Sequence, residues 1–349
     1  MAESAGCSVT AASKVLNAAR GTAGVGAATR RRVERAARRL GYRPNQVAAA
    51  LRKGRSGAIG LLLGRPGDYG FYGQLIAGIN RVAAGQDRSL LIVGAHDTAA
   101  AIEEAKRALS ESRIDALIVP SSVFRGEAKE LDALDAPIVF YGRPLAGVAN
   151  HPRVSVDLRP GIEQAVAHLA ALGHRDLLWI HPTRDGRRFD ADRIGALRDA
   201  AGRSGLALAE LACPTEDGAG DEADAYVRAV RRRLAGHLAR RPPATAVMAY
   251  NERCAAGACG ALWNAGLRVP ADVSVIGFDD IYARVATPPL TVVSIVMEAA
   301  GEAAARLALA MSRAPDRAGE WKGRHERIPT ALVVRDSTAP TPRRGRRGA

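Results

Sequence analysis

Short apolar runs alternate with amphipathic stretches over most of this 349-residue chain. Strands are predicted at 58–63, 89–93, 116–119 and 137–141, and helices at 74–86, 99–111 and 127–134. The alternation then repeats, with strands at 176–180, 207–212, 245–249 and 273–277 and helices at 191–204, 222–240 and 252–265. Such alternation over short loops produces doubly wound parallel sheets with both faces covered. The sequence therefore predicts an α/β fold with two lobes, and a ligand cleft at the carboxyl ends of the strands.

The excess of basic residues is confined to the two ends of the chain. Residues 1–57 hold twelve Lys and Arg against two acidic residues, residues 340–349 hold four Arg, and the remainder holds 34 of each sign. A small basic module beside a neutral globular body is typical of a protein that binds a polyanion through one domain and serves another purpose with the other.

Residues 8–17, SVTAASKVLN, have the pattern of a short capped helix. Ser8 is placed to accept a hydrogen bond from a backbone N–H of the first turn, and Val15 and Leu16 are expected to face inward. A small-residue turn containing Gly6 precedes this helix, after the remnant of another helix. Helix, Gly-containing turn and capped helix predict a helix-turn-helix, whose second helix enters the DNA major groove.

Two further helices are predicted in the basic region. One covers 29–40, with Thr29 as its cap and an inward stripe of Val33, Ala36, Ala37 and Leu40. Its arginines form either a solvated face or contacts to DNA phosphates. The other covers 45–54, is capped by Asn45, and is too short to be stable alone in water. It is either a hinge that folds on binding or a plain linker.

Catalytic and cofactor motifs are absent from the sequence. No G-x-G-x-x-G follows the first predicted strand, and neither a P-loop nor a G-x-S-x-G motif is present. The four cysteines form no paired framework, His174 is expected to pack or cap, and Gly64, Gly67, Gly70 and Gly73 predict a flexible loop. No signal peptide or membrane-length apolar run is found. We expect a cytoplasmic, nucleoid-associated protein with no catalytic residue, metal or cofactor.

Residues 2–17, AESAGCSVTAASKVLN, and 40–51, LGYRPNQVAAAL, resemble the head and hinge of the lactose/galactose repressor family. Further matches continue in the family's order to about residue 336, through LGHR at 172–175, TAVMAYNE at 245–252, GLRVPADVSVIGFDD at 266–280 and PPLTVV at 288–293. The resemblance implies a bacterial transcriptional regulator with a helix-turn-helix head and a two-lobed effector domain like the periplasmic binding proteins.

The resemblance assigns DNA contacts to the head. In that family the first two residues of the recognition helix and a basic residue one turn later read the bases, which implies this role for Val9, Thr10 and Lys14. The hinge leucine, here Leu51, is wedged into a minor-groove step and kinks the duplex. The other implied DNA-binding positions are Ser8, Ser13, Asn17, Tyr42, Asn45 and Ala48.

The head departs from the family pattern in three places. The family sequence extends upstream of Met1, the stretch 18–28 is longer and richer in Gly, and a Thr-Val pair is replaced by Ala11 and Ala12. Two hypotheses follow: the true start lies upstream of Met1, or the head is poorly stabilised. In the second case the chain would be a cytoplasmic small-molecule-binding protein with impaired DNA binding.

The resemblance also implies an effector pocket formed by Phe71, Tyr72, Asp157, Arg193, Asn251 and Asp279. Arg supplies a fork of donors, Asp accepts hydrogen bonds from hydroxyl pairs, and an aromatic ring covers an apolar face, which suits a sugar. Ordinary structural roles remain open at this point, since Asp279 could cap the loop after its strand and Phe71 could belong to the core. Glu252 replaces the family's usual aspartate.

We therefore expect a transcriptional repressor that binds a pseudo-palindromic operator in double-stranded DNA as a homodimer. It should lose affinity for the operator when a small ligand enters the cleft. The expected boundaries are 1–43 for the head, 44–57 for the hinge helix and linker, 58–157 and 290–318 for the N-terminal lobe, 158–289 and 319–337 for the C-terminal lobe, and 338–349 for a basic disordered tail. The alternatives are a solute-binding protein, an enzyme on a doubly wound fold, constitutive DNA binding, or a ligand that tightens DNA binding.

Overall fold

The computed structural model describes residues 2–17, 25–42, 56–63, 68–94, 97–123, 129–132, 134, 136–188, 191–215, 222–241 and 244–341. The hinge helix predicted at 45–54 and most of the predicted tail lie outside these residues. Residues 338–341 of the predicted tail are ordered against the C-terminal lobe, where the N–H of Thr341 donates to the carbonyl of Leu172 over 2.9 Å. The expected disorder therefore does not begin at residue 338.

The head consists of a short 3-10 helix, Glu3–Ala5, followed by helices α1 (Val9–Asn17) and α2 (Ala27–Arg39). A small core of alanines and Val33 holds them together, with Val15 and Leu16 packed against it. The prediction that Thr29 caps the second of these helices is wrong. The helix begins two residues earlier, and its cap, Gly26, makes no side-chain hydrogen bond, because the alanines at 27 and 28 extend the helix readily.

The N-terminal lobe is built on a six-stranded parallel sheet. In spatial order its strands are β2 (Ser89–Gly94), β1 (Ala58–Leu63), β3 (Ala116–Pro120), β4 (Ile138–Tyr141), β5 (Arg153–Asp157) and β12 (His325–Pro329). Its helices are α3 (Asp68–Ala84), α4 (Thr98–Ser110), α5 (Lys129–Asp132) and α10 (Met297–Arg313). Helices α3 and α10 approach closely, since a Cβ at Gly78 or Gly301 would collide with the backbone of the other helix.

The C-terminal lobe is built on a seven-stranded sheet. Its strands are β6 (Asp176–Arg184), β7 (Arg187–Arg188), β8 (Ala207–Pro214), β9 (Ala246–Ala249), β10 (Ser274–Asp279), β11 (Thr291–Ser294) and β13 (Ala331–Val333). Strands β8, β6, β9, β10 and β11 are parallel in that order, while β7 and β13 pair antiparallel at β6 and β11. Its helices are α6 (Arg159–Ala171), α7 (Ala191–Ser204), α8 (Glu222–Leu238) and α9 (Glu252–Asn264).

The described chain passes between the two sheets at three places: after β5, after β11 and after β12. The expected lobe boundaries are corrected accordingly. Strand β11 lies in the C-terminal sheet, although 290–318 was assigned to the N-terminal lobe, because β11 pairs with β10. Strand β12 lies in the N-terminal sheet, although 319–337 was assigned to the C-terminal lobe, because β12 pairs with β5.

Two local predictions can also be judged. The flexible loop predicted around Gly70 and Gly73 is wrong at these two residues, since both lie inside α3; Gly64 and Gly67 lie outside the described residues. The packing role predicted for His174 is confirmed. Its buried ring lies 2.9 Å from Thr245 Oγ1 and 3.1 Å from Ser274 Oγ, and it joins the end of α6 to the second sheet.

Candidate functional site

The head presents α1 with one buried and one open face. Ser8 Oγ accepts the N–H of Ala11 over 3.1 Å, as predicted for a helix cap. Ala12 is buried against α2, while Val9, Thr10 and Lys14 are exposed, Val9 to 75%. The open face of α1 therefore carries an apolar side chain, a hydroxyl and an amine.

Helix α2 carries several arginines, and one of them reaches the 3-10 helix that precedes α1. Arg39 donates to the hydroxyl of Ser4, and Arg30 lies 3.9 Å from Glu34. Tyr42, at the end of the head, is 44% exposed. Ser13 is half-buried on α1, and Asn17 is the last residue of that helix. The other DNA-binding positions predicted from sequence, Asn45, Ala48 and Leu51, lie outside the described residues.

A second candidate site lies where the carboxyl ends of the two sheets face each other. Tyr141 ends β4 of one sheet and Asp279 ends β10 of the other. Burial, together with nearby Tyr72 and Asp279, raises the pKa of Tyr141, so the two lobes influence each other electrostatically here. A direct contact also joins them, since Gln74 Nε2 on α3 donates to the carbonyl of Asp280 over 2.9 Å.

Arg193 reaches this cleft from the first turn of α7. Its Nη1 donates to the carbonyl of Tyr250 over 2.7 Å, and its guanidinium carbon lies 4.1 Å from the centre of the Tyr250 ring and 4.9 Å from that of Phe278. The two rings fix the plane of the guanidinium by cation–π contact. Nη2 then lies 3.9 Å from Asp279 Oδ1, too far for a hydrogen bond.

Asp279 is a buried carboxylate with little to neutralise it. Among the described residues, no donor lies within hydrogen-bond distance of its carboxylate oxygens, and Arg193 is its ion-pair partner. Burial raises the pKa of Asp279 to about 6, against the lowering effect of Arg193 and with the help of Glu252. Its backbone φ is +98°, a conformation that is uncommon for residues other than Gly.

The two aromatic residues predicted for the pocket, Phe71 and Tyr72, belong to the N-terminal lobe. Phe71 and Tyr72 meet edge to face at 5.0 Å, and Tyr72 meets Tyr141 in the same way at 6.4 Å. Tyr72 is buried and its hydroxyl is hydrogen-bonded to that of Ser122. Phe71 is half-buried against the core of this lobe, so part of its surface remains open.

Asn251 and Asp157 each accept a hydrogen bond from a nearby backbone N–H group, apart from any bond to a ligand. The side-chain oxygen of Asn251 caps α9 by accepting the N–H of Cys254 over 2.9 Å. Asp157 Oδ1 accepts the N–H of Arg159 over 3.1 Å at the start of α6. Each side chain therefore uses one acceptor on its own backbone, and Asp157 stands beside the first of the three crossovers.

Glu252 has a structural role that the sequence did not reveal. Its two carboxylate oxygens accept the backbone N–H groups of Ile281 and Tyr282 over 2.6 and 2.7 Å. The loop after β10 is also held by Arg335, whose Nη2 lies 2.6 Å from Asp280 Oδ1. These contacts fix the backbone that carries Asp279. The replacement of the family's aspartate at position 252 was the available signal, but it did not indicate the partners.

Comparisons with known proteins bear on both sites. Residues 1–45 match the family model "Bacterial regulatory proteins, lacI family", and residues 166–338 match "Periplasmic binding protein-like domain". The HTH-type transcriptional regulator GalS of Salmonella typhimurium is 34% identical over 88% of this chain and 88% of its own length. The chain belongs to the lacI family of bacterial regulatory proteins. AglR of Rhizobium meliloti, another HTH-type transcriptional regulator, is 31% identical over 99% of this chain and 94% of its own length.

Solved structures of the lacI family share the fold of the whole chain. The lac repressor dimer bound to operator and the anti-inducer ONPF superposes with a TM-score of 0.75 at 24% identity, over 97% of both chains. The complex of the regulator CelR with cellobiose superposes with a TM-score of 0.64 at 26% identity, over 96% of this chain and 98% of that one. This lacI-family chain is therefore a transcriptional regulator with a DNA-binding head and a two-lobed effector domain.

Within this lacI-family fold, the structure brings together some of the predicted residues. Arg193 and Asp279 form a pair, and Asn251 caps the helix that follows Tyr250. Tyr72 lies beside Tyr141, whose pKa is raised in part by Asp279. Asp157 lies at the crossover. No group of three potential metal-ligating side chains occurs among the described residues, and no helix in that part of the chain is both long and apolar enough to span a membrane.

Proposed function

We propose that this regulator is a repressor that binds a two-fold operator as a homodimer and is released by a sugar bound between its lobes. One observation carries the proposal: the buried Arg193–Asp279 pair, 3.9 Å apart at the carboxyl ends of the strands. A sugar hydroxyl placed between them accepts from the guanidinium and donates to the carboxylate, which satisfies both buried charges at once.

The other predicted residues complete the pocket. Phe71 and Tyr72 supply aromatic surface to an apolar sugar face, and Asn251 and Asp157 offer polar atoms at its edges. The relatives point the same way, because a solved structure of one regulator contains cellobiose and another, from Enterococcus faecium, contains ribose. We infer a ligand with several hydroxyl groups.

Operator recognition is assigned to α1. Its exposed Val9, Thr10 and Lys14 read base edges, and Ser8, Ser13, Asn17 and the arginines of α2 contact phosphates and backbone. Tyr42, Asn45, Ala48 and Leu51 extend the contact toward the minor groove. One head covers only a half-site, so a homodimer is proposed, as in the lac repressor dimer. The regulator acts in the cytoplasm, where the chromosome lies, and we assign it no enzymatic step.

Selection of operator sequences from a random duplex library tests the proposal. The full chain should enrich a pseudo-palindrome, and a sugar panel should contain a member that lowers affinity for it at least about fivefold. Asp279→Asn should bind the same DNA and lose the sugar response. Asp272, in the same lobe, is half-buried and paired with Arg268, and Asp272→Asn should retain the sugar response. Selection of no symmetric sequence, or an unchanged sugar response in Asp279→Asn, would overturn the proposal. Sugar binding without specific DNA binding would favour a small-molecule-binding protein.

A further inference from the structure

The outer edge of the N-terminal sheet has a face on which positive charges meet. Strands β5 and β12 pair in parallel there, with His325 opposite Arg153 and Arg327 opposite Ser155. Because side chains alternate along a strand, these four residues share one face. The intervening Val154, Val156 and Ile328 point the other way, into the core of the lobe.

The imidazole of His325 lies between the two arginines. Arg153 Nη2 is 3.1 Å from His325 Nδ1, and Arg327 Nε is 3.5 Å from the same atom. Guanidinium groups only donate, so Nδ1 must accept and the ring proton belongs on Nε2, which lies 2.7 Å from Ser155 Oγ. Burial and the two arginines also lower the pKa of His325. The ring is a neutral spacer that holds two cations close together.

This pair of cations has no neutralising carboxylate among the described residues. Asp157 shares the face but lies at the cleft end, where it accepts the N–H of Arg159, and Glu326 alternates to the other face. Elsewhere on this lobe the arginine Arg81, on helix α3, is paired with Glu298 and Glu302. Like charges held together cost free energy unless a counter-ion joins them. Consistent with this, burial and Arg327 lower the pKa of Arg153.

We propose that this face binds a phosphate group of a small molecule, held by Arg153 and Arg327 with Ser155 as a further donor. The two guanidinium groups offer several N–H donors at fixed angles, which match the oxygens of a tetrahedral anion. Ser155 accepts from the ring of His325, so its own hydroxyl proton is available to the anion. The site is separate from the sugar cleft, because the cleft lies at the opposite, carboxyl ends of these strands.

This site lies on two strands that lead into connections between the lobes, so a bound anion could restrain the movement of one lobe relative to the other. Strands β5 and β12 each lead directly into a crossover, and these crossovers are joined to each other. Thr330 donates to the carbonyl of Asp157 through its hydroxyl over 2.7 Å and through its N–H over 3.0 Å. A phosphate that links Arg153 to Arg327 ties the two strands together just before this junction. Phosphate binding therefore restrains the same crossovers that any lobe movement must bend.

Thermal unfolding and hydrogen exchange of the full chain test the site, with inorganic phosphate as the probe and chloride at matched ionic strength. Phosphate should raise the melting temperature saturably and slow exchange in peptides covering 153–157 and 325–330. Arg153→Gln/Arg327→Gln should weaken phosphate binding at least about tenfold. Arg203→Gln/Arg228→Gln removes two exposed arginines of the C-terminal lobe that already pair with carboxylates, and should bind phosphate normally.

Ser155→Asp keeps the test decisive if loss of the arginines impairs folding. A carboxylate at this position neutralises both cations from within, so it should raise the melting temperature in chloride and weaken phosphate binding at least about tenfold. Unweakened phosphate binding in Ser155→Asp would overturn the proposal. So would protection confined to α8 and the turn that follows it, where Arg232, Arg233 and Arg240 line a separate cavity of about 390 Å³. Loss of DNA binding alone in Arg153→Gln/Arg327→Gln would identify a duplex contact instead.

Discussion

Two aspartates in this molecule have equal exposure and opposite surroundings. The side chains of Asp115 and Asp279 are each 9% exposed. Asp115, before β3, accepts hydrogen bonds from Ser56 N and Oγ, Gly57 N and Arg88 Nη1, at 2.6 to 3.0 Å. Asp279 has Arg193 at 3.9 Å. Burial alone therefore does not distinguish a structural carboxylate from a candidate ligand-binding one, whereas the count of donors within reach does.

The difference in hydrogen-bond partners also indicates different roles for Asp115 and Asp279. Asp115 fixes residues 56 and 57, the first described residues after the head, to the centre of the N-terminal sheet, where β1 and β3 are neighbours. Its bonds are complete without any ligand. Asp279 is held in place through the backbone around it, by Glu252 and Arg335 acting on the next residues. Its carboxylate has Arg193 as its ion-pair partner among the described residues, and we propose that a ligand hydroxyl supplies the missing hydrogen bond.

The largest expected effect is that of Asp115→Ala. It removes a carboxylate and leaves the guanidinium of Arg88 and two backbone N–H groups without their acceptor, so the free energy of unfolding should fall by about 3–5 kcal/mol. Urea denaturation measures this value. Glu111→Ala is the matched control, because Glu111 is 53% exposed and should change stability by no more than about 0.5 kcal/mol. Equal effects of the two substitutions would remove the distinction drawn for Asp115.

Asp279→Asn should raise the free energy of unfolding, whereas Asp115→Ala lowers it. The folded pKa of Asp279 is about 6 against an ordinary 3.8, so the folded state binds more protons than the unfolded state between these values. Stability therefore falls as pH rises through this window and stays lower above it. At pH 8, Asp279→Asn should raise the free energy of unfolding by about 2 kcal/mol, and below pH 4 the gain should vanish. Urea denaturation across this pH range measures both values.

Asp272→Asn is the control for Asp279→Asn, and its effect on the free energy of unfolding should have the opposite direction. Its exposed partner, Arg268, holds the pKa of Asp272 below its ordinary value by hydrogen bonding, so this substitution should slightly lower stability at pH 8. If Asp279→Asn also lowered stability at pH 8, the cleft carboxylate would already be satisfied in the free protein. The contrast with Asp115 would then fail.

The smallest expected effect concerns two hydroxyl groups of the head. Ser8 accepts a hydrogen bond as a helix cap in the structure, whereas Thr29 was predicted to cap a helix and does not. Ser8 caps α1, so Ser8→Ala should cost about 1 kcal/mol and speed amide exchange in the first turn of α1 about fivefold. Thr29 lies inside α2, so Thr29→Ala should change stability by no more than about 0.5 kcal/mol. Hydrogen-exchange mass spectrometry of the full chain compares them. A larger effect at Thr29 would reinstate the cap predicted from sequence.

The strands predicted from sequence are mainly apolar runs, and they differ in burial: Ala58–Leu63 is almost wholly buried, whereas Ser89–Gly94 is mostly half-buried or exposed. Ala58–Leu63 is an unbroken apolar run, and it lies at the position predicted. Strands β5 and β12 were not predicted, because polar and charged residues interrupt the apolar positions of RVSVD and HERIP. Their pairing joins residues far apart in sequence, which no local pattern encodes. The lobe boundaries were misplaced for the same reason.

Some residues of the candidate site could likewise be predicted from the sequence, and others could not. Arg193 and Asp279 were found because a family resemblance assigns them, and the structure places them next to each other. The spacing between them in sequence carries no information on that distance, since two strands and two helices intervene. Glu252 could not be assigned a role, because its partners are backbone N–H groups, which look the same at every position of a sequence.

The three crossovers also set an order for biosynthesis. Each lobe needs a strand from the end of the chain, β12 for one sheet and β13 for the other, and the N-terminal lobe needs α10 as well. On a ribosome the head emerges first and can assemble its small core at once, while both sheets wait with an open edge until the final segment is released. Truncating the chain before His325 would leave two incomplete lobes below an intact DNA-binding head.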